Sequence, residues 1–349
     1  MNGHVFEGRR WPRAIALLLA LGGACTGPAS PARTPAPPAP LAAPPVESFT
    51  GRAPITPILP PSEADRPRIA LGRRLFFERQ LSHDNSLSCA GCHPLDGGGM
   101  DSLGKACGIG GRVGDRNTPT VFNAALNFRQ FWDGRADSLE SQIDGPIANP
   151  NELGSTWSEV IGKLRGDREY VDAFCALYPA GITPESVRDA IATFERTLIR
   201  SGSRFDLFLT GHADALTAEE RHGYELFQEL GCVSCHQGAN VGGNMFERLG
   251  IVRDYFWTEA RVPKSDVGRM AVTGRPVDRF VFRVPSLRLA ASTAPYLHDG
   301  SIATLRETVM IMARYQVGRE LSDADAHAIE LFLGTLAGSA GEAARAPLL

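Results

Sequence analysis

The stretch "SCAGCHPLDGGGMDSLGKACGIGGR" (88–112) opens with Cys89-Ala90-Gly91-Cys92-His93. Two thiols at this spacing can add across the vinyl groups of a haem, and the histidine that follows is placed to ligate the iron. A second copy, Cys232-Val233-Ser234-Cys235-His236, stands in the later half of the chain. One such pentapeptide could arise by chance or form half of a zinc site. Two of them behind an export signal predict two covalently attached c-type haems, with His93 and His236 as iron ligands. What sits opposite each histidine then decides the chemistry. A second protein ligand makes an electron carrier, whereas an open position admits a reactant.

The elements that must position these groups read as helical. "ITPESVRDAIATFERTLI" offers Thr183 as a cap, Pro184 in the first turn and a stripe of Val187, Ile191, Phe194 and Leu198. Thr217 and Glu220 form a capping box ahead of the second haem motif. Ser322 caps a last helix with Ile329, Phe332, Leu333 and Leu336 inward, ending near Gly338. No stretch alternates well enough to build a large sheet. "TPTVFNAALNFRQFWDGRADSLESQI" (118–143) aligns with "VPSLRLAASTAPYLHDGSIATLRETV" (284–309), matching Pro119 with Pro285, Gly134 with Gly300 and Leu139 with Leu305 at one constant offset. The expected fold is mainly α, with two tandem cytochrome c-like haem domains arising by duplication, over 51–212 and 213–340.

At 349 residues and 43% hydrophobic content the chain is long enough for about two ordinary globular domains. A net charge of −3 without a basic stripe argues against nucleic acid as a partner. Arg9, Arg10 and Arg13 before "AIALLLAL" read as a signal peptide over 1–24. Cys25 would then be either the lipidated first residue of a lipoprotein or a residue near simple cleavage. The Pro/Ala-rich linker over 25–50 suits a tether. The expected location is the periplasm, with membrane tethering if Cys25 carries lipid. Cys107 and Cys175 remain, able to pair or to stand as lone buried thiols.

With both haem motifs, "FWDGRADSLESQIDGPIANPNELG" and "PYLHDGSIATLRETV", the chain resembles the bacterial dihaem cytochrome c peroxidases, a family that includes the MauG-type methylamine-utilisation enzymes. The likeness runs from about Ile69 to Gly338. It implies that the N-terminal haem, on His93, reacts with hydrogen peroxide, and that the C-terminal haem, on His236, passes electrons to it. The resemblance carries a methionine ligand of the second haem onto Met312, with Met310 as a rival nearby. A Met/His pair raises a haem potential, as electron entry requires. Glu152 and Gln142 take the places of the peroxide-handling glutamate and glutamine, and Trp132 that of the tryptophan between the haems. Asn117 with the carbonyls of Thr293 and Pro295 matches the family's calcium site. Asp133, Arg135 and His298 would order haem propionates and loops.

Many members of that family carry a blocking histidine in the glycine-rich loop, and this chain has Ile109 there. Isoleucine cannot ligate iron, and neither His83 nor Cys107 is a strong substitute. The loop over 106–112 is therefore expected to be a lid without a plug, leaving the first haem open. The implied activity is reduction of hydrogen peroxide by electrons from a small c-type cytochrome or a cupredoxin (a blue-copper protein), and the family often forms a homodimer. The alternative is a MauG-like enzyme that oxidises aromatic residues of a partner protein. Such enzymes carry a tyrosine on the second haem, so Met312 favours the peroxidase while Tyr315 keeps the alternative open. A plain dihaem electron carrier would need both irons closed.

Overall fold

The computed structural model describes residues 54–61, 64–256, 266–341 and 344. The signal peptide, Cys25 and the linker expected over 1–50 lie outside the described residues. The first half runs α1 (Arg66–Phe76), α2 (Cys89–Cys92), α3 (Leu139–Ala148), α4 (Trp157–Gly166), α5 (Arg168–Leu177) and α6 (Pro184–Glu195). The second half follows with α7 (Arg204–Leu209), α8 (Ala218–Glu229), α9 (Met270–Thr273), α10 (Leu305–Met312) and α11 (Asp323–Gly334). Strand content among the described residues is two short antiparallel ribbons. In these β1 (Arg200–Ser201) pairs with β4 (Ser339–Ala340), and β2 (Phe246–Arg248) with β3 (Val281–Arg283). The chain is helix-rich with little sheet.

The helix starts obey the cap chemistry read from the sequence. Thr183 and Ser186 cap each other's backbone at α6, and Thr217 and Glu220 do so at α8. Ser322 accepts from Asp325 N at α11. These bonds satisfy amide groups that the first helical turn cannot pair internally. Val187, Ile191, Phe194 and Leu198 are all buried, as the stripe demanded. α11 stops at Gly334, short of Gly338. Gly338 instead lets the chain lie against the first ribbon, since a Cβ there would come within 2.6 Å of Ser201 O.

Each half is built on one close helix crossing. A Cβ at Gly72 of α1 would meet Ala190 O of α6 at 1.8 Å, and one at Gly223 of α8 would meet Ala328 O of α11 at 1.9 Å. Only glycine allows either approach. The first crossing sits on a core that includes Leu75, Ile143, Tyr170, Phe174 and Ile191. The second sits on Phe205, Tyr224, Phe227, Ile329 and Phe332, a cluster that also takes in Ile55 from far upstream.

The aligned segments share backbone detail as well as residue type. Gln130 bridges Ala136 as Tyr296 bridges Ile302. Asn123 and Leu289 have φ of 60° and 67°, and Phe131 and Leu297 both have φ of 67°. Positive φ is uncommon for side chains of these types, so its recurrence at matched positions reflects a shared loop geometry.

Two buried ionisable side chains contrast sharply. Arg288 is 1% exposed but fully engaged, pairing with Asp206 at 2.8 Å and donating to Ala239 O, Ser203 Oγ and Thr56 O. Glu195, the last residue of α6, is buried with Oε2 unpartnered. Burial, against the opposing charge of Arg196 and with help from Glu140, pushes its pKa up to about 8. The folded chain thus holds this proton more tightly than the unfolded chain. That contribution to stability is fully present below the ordinary carboxyl range and is lost as pH rises through about 8. Glu195→Gln is therefore expected to match the native protein in thermal unfolding at pH 4. Near pH 9 it should exceed the native protein by ~2 kcal/mol or more, at ~1.4 kcal/mol per pKa unit. Parallel stability curves across that range would refute the assignment.

Candidate haem-binding and active site

The second motif borders a cavity of about 510 Å³ lined by Cys232, Cys235, His236, Leu249, Phe282 and Met312, among others. His236 is buried, which lowers its pKa to about 4, so the imidazole is neutral at pH 7. Its Nδ1 lies 3.4 Å from Val241 O. A carbonyl only accepts, so Nδ1 carries the proton and Nε2 keeps the lone pair a metal needs. Met312 ends α10 and lines the cavity, whereas Met310 is 36% exposed. Tyr315 packs edge-on against Tyr255 with ring centroids 5.2 Å apart and is not among the cavity-lining residues. A π-helical turn, Ala313–Val317, follows Met312 directly.

The first motif folds as α2. His93 Nδ1 donates to Gly99 O at 3.0 Å, which again leaves Nε2 as the ligating nitrogen, and burial lowers the His93 pKa. Burial raises Cys89 to about 12 and Cys92 to about 11, and the charge of Glu152 is felt at both thiols. Glu152 therefore lies near the point of attachment.

Glu152 is held by a tightly bonded loop between α3 and α4. Asn149 Nδ2 donates to Glu152 Oε1 at 2.7 Å, and Glu152 N donates to Asn149 O at 2.9 Å. Burial raises the Glu152 pKa, opposed by Asn149 and by the charge of Arg135. Gln142 lies within α3, whose Ile143 and Ile147 face the core, and Asn149 is the extended residue that follows the helix's last turn. The Gln142 side chain is half-buried and has no protein hydrogen-bond partner among the described residues. Asn149 was missed from sequence; a donor three residues before a candidate glutamate was the signal available.

The glycine-rich loop rests on this same segment. Ile109 N donates to Glu152 O at 2.9 Å, and Arg112 Nη1 donates to Pro150 O at 2.9 Å. Gly108 fits because any Cβ would strike Asn151 O at 2.1 Å. Ile109 is 7% exposed and packs over Gly154. His83 is exposed and bonded to Glu159, so it is not a substitute ligand. Cys107 is exposed with a free thiol, so it is neither buried nor paired with Cys175, which is not among the free thiols.

Phe131 lies on Gly145 of α3, while Trp132 lines the cavity. Trp132 Nε1 donates to Asn117 O at 2.9 Å, and its ring meets His298 edge-on at 6.5 Å. His298 is 3% exposed, stacks on Phe282 at 4.3 Å and donates to Asp266. Although burial would raise Asp266, that hydrogen bond and the charges of His298 and Arg116 hold it below the usual carboxylate range. Asp133 and Arg135 pair with each other at 3.0 Å. Asn117 Nδ2 lies 2.6 Å from Pro295 O, while the buried Oδ1 finds no donor. Asn117, Thr293 and Pro295 all line the cavity.

The sequence profile of the di-haem cytochrome c peroxidase family matches residues 66–214. Cytochrome c551 peroxidase of Nitrosomonas europaea is 41% identical over 286 residues, which is 82% of this chain and 84% of that protein. This chain belongs to the di-haem cytochrome c peroxidase family. Cytochrome c peroxidase Ccp of Escherichia coli is 44% identical over 82% of this chain, which spans 61% of that protein's length. A solved MauG-like protein associated with microbial copper homeostasis superposes with a TM-score of 0.71 at 27% identity, covering 80% of this chain and 93% of its own. The family consists of haem oxidoreductases, and its di-haem character implies two haems here.

Proposed function

We propose that this chain reduces hydrogen peroxide to water, taking electrons from a small periplasmic c-type cytochrome or cupredoxin. The observation that carries this reading is an asymmetry between the motifs. Met312 lines the cavity of His236, whereas the loop beside Cys89 and Cys92 offers Glu152 and Ile109, neither an iron ligand of the usual kind. The two halves are tandem cytochrome c-like domains, over 51–212 and 213–340. A duplication origin is supported by the paired glycine crossings and the repeated positive-φ positions. Signal peptide 1–24 would export the chain, and Cys25 would tether it if lipidated. The homodimer common in the family is carried over with this reading.

When bound through Cys89/Cys92 and Cys232/Cys235, the haems supply the redox chemistry, peroxide reduction at the first and electron entry at the second. His93 and His236 present neutral Nε2 atoms to hold them. Reduction of one peroxide consumes two electrons and two protons and yields two waters. Glu152, whose pKa is raised, would take a proton from one oxygen of the peroxide and return it to the other. Gln142 orients the peroxide with its unengaged amide, and Trp132 lies on the path between the motifs. Asn117 Oδ1, Thr293 O and Pro295 O would hold calcium. An orphaned buried acceptor beside a carbonyl suits such a hard cation, with water completing the shell.

The MauG-like alternative is less well supported, because Tyr315 turns to Tyr255 and leaves Met312 at the cavity. Peroxide-dependent oxidation of a reduced small c-type cytochrome by the haem-loaded protein is the test, and steady turnover is expected. A long-lived oxidised protein that ignores the cytochrome but oxidises tryptophan or tyrosine of another protein would reverse the choice.

A further inference from the structure

Arg283 ends β3 at the wall of the cavity and is 4% exposed. Its Nε donates to Phe131 O at 3.2 Å and its backbone N to Trp132 O at 2.8 Å. Nη1 is buried without any acceptor, and no carboxylate among the described residues forms an ion pair with it. Burial alone lowers its pKa to about 10, with no acidic neighbour opposing. Arg288 shows how this fold treats a buried guanidinium when protein must satisfy it, with Asp206 and three further acceptors. A buried charge left unpaired costs several kcal/mol.

The other groups around Arg283 are already committed. His298 is bonded to Asp266, and His236 is turned to Val241 O. Arg269 donates to Asp133 O and Arg248 pairs with Asp254 at 3.7 Å. Glu247, which also borders the cavity, accepts from Arg248 N. The missing counter-charge must therefore come from whatever fills the cavity. Haem attached through Cys232 and Cys235 carries two propionate carboxylates.

We propose that Arg283 binds a propionate of the C-terminal haem and ties it to the backbone of Phe131 and Trp132. The inference rests on the haem assignment above but not on peroxidase activity. It makes Arg283 a positioning residue. The guanidinium fixes the cofactor edge to the segment that carries Trp132, and keeps the propionate ionised at neutral pH.

The test is spectroelectrochemistry of the purified dihaem holoprotein between pH 5 and 9, comparing native with Arg283→Lys and Arg283→Met. In the native protein the C-terminal haem potential should be nearly independent of pH. In Arg283→Met it should fall below native as pH rises and approach native at pH 5, because the propionate then takes up a proton on reduction. Arg283→Lys should restore most of the flat profile, and the N-terminal haem should serve as an unshifted control. Resonance Raman propionate-bending bands should shift in both variants, a change that mere loosening of the ribbon would not give. A Met variant with a parallel pH profile and unshifted propionate bands would overturn the proposal. So would a native potential that moves with added phosphate while those bands stay fixed, since the partner would then be a mobile anion. Protein purified without a second haem would instead defeat the haem assignment itself.

Discussion

Replacing Glu152 by glutamine is expected to slow peroxide turnover by about 10²–10⁴-fold, the range that a positioned acid–base group contributes. The substitution keeps shape and can still meet Asn149, so the loop should hold; only the ability to take and return a proton is lost. Asn149 Nδ2 grips one carboxylate oxygen at 2.7 Å, which leaves the other for the reactant. The pH profile gives an independent check. Glu152 must be ionised to accept the first proton, and burial holds its pKa above the ordinary carboxyl range. Native kcat/KM should therefore fall on the acid side with an apparent pKa above that of an ordinary glutamate. Glu152→Gln should lack this limb. Haem content and electron uptake at the second motif should be unchanged in the variant. Full activity in Glu152→Gln would remove the residue from the mechanism.

The second large effect is expected at Met312. Axial ligands tune haem potentials over about 0.8 V, and thioether lies well above imidazole in that range. Met312→His should lower the potential of the C-terminal haem by ~0.1 V or more, which at 59 mV per tenfold for one electron disfavours uptake about 50-fold. Turnover with a reduced c-type cytochrome should collapse accordingly, while a strongly reducing artificial donor restores it. Met310→His should do nothing comparable, because Met310 is turned to solvent. Equal effects at the two positions would mean that neither is the ligand.

Much of this architecture could be read from local chemistry. Thr183, Thr217 and Ser322 announced their helices because cap bonds involve neighbours in sequence. The haem turns were explicit because thiol spacing is set by the cofactor. The repeated segments announced a shared loop geometry through residue type alone. What stayed hidden is long-range. Nothing in the sequence pairs Arg288 with Asp206, or His298 with Asp266, since those contacts depend on how distant loops meet. The docking of the 106–112 loop on Glu152 depends on Gly108 fitting against Asn151, a steric match between segments far apart. Cys107 looked like a core thiol by type but lies exposed on that loop. The last helix ended early because Gly338 was needed at the first ribbon rather than as a cap.

We propose that the first haem is open at rest, with Ile109, packed over Gly154, in place of a blocking ligand. Electron paramagnetic resonance of the fully oxidised dihaem protein, followed directly by mixing with peroxide, addresses it. One high-spin and one low-spin ferric signal are expected, with peroxide consumed at once and no prior reduction required. Ile109→His should convert the high-spin signal to low-spin and introduce a lag. Two low-spin signals in the native protein, with peroxide untouched until the second haem is reduced, would contradict the account.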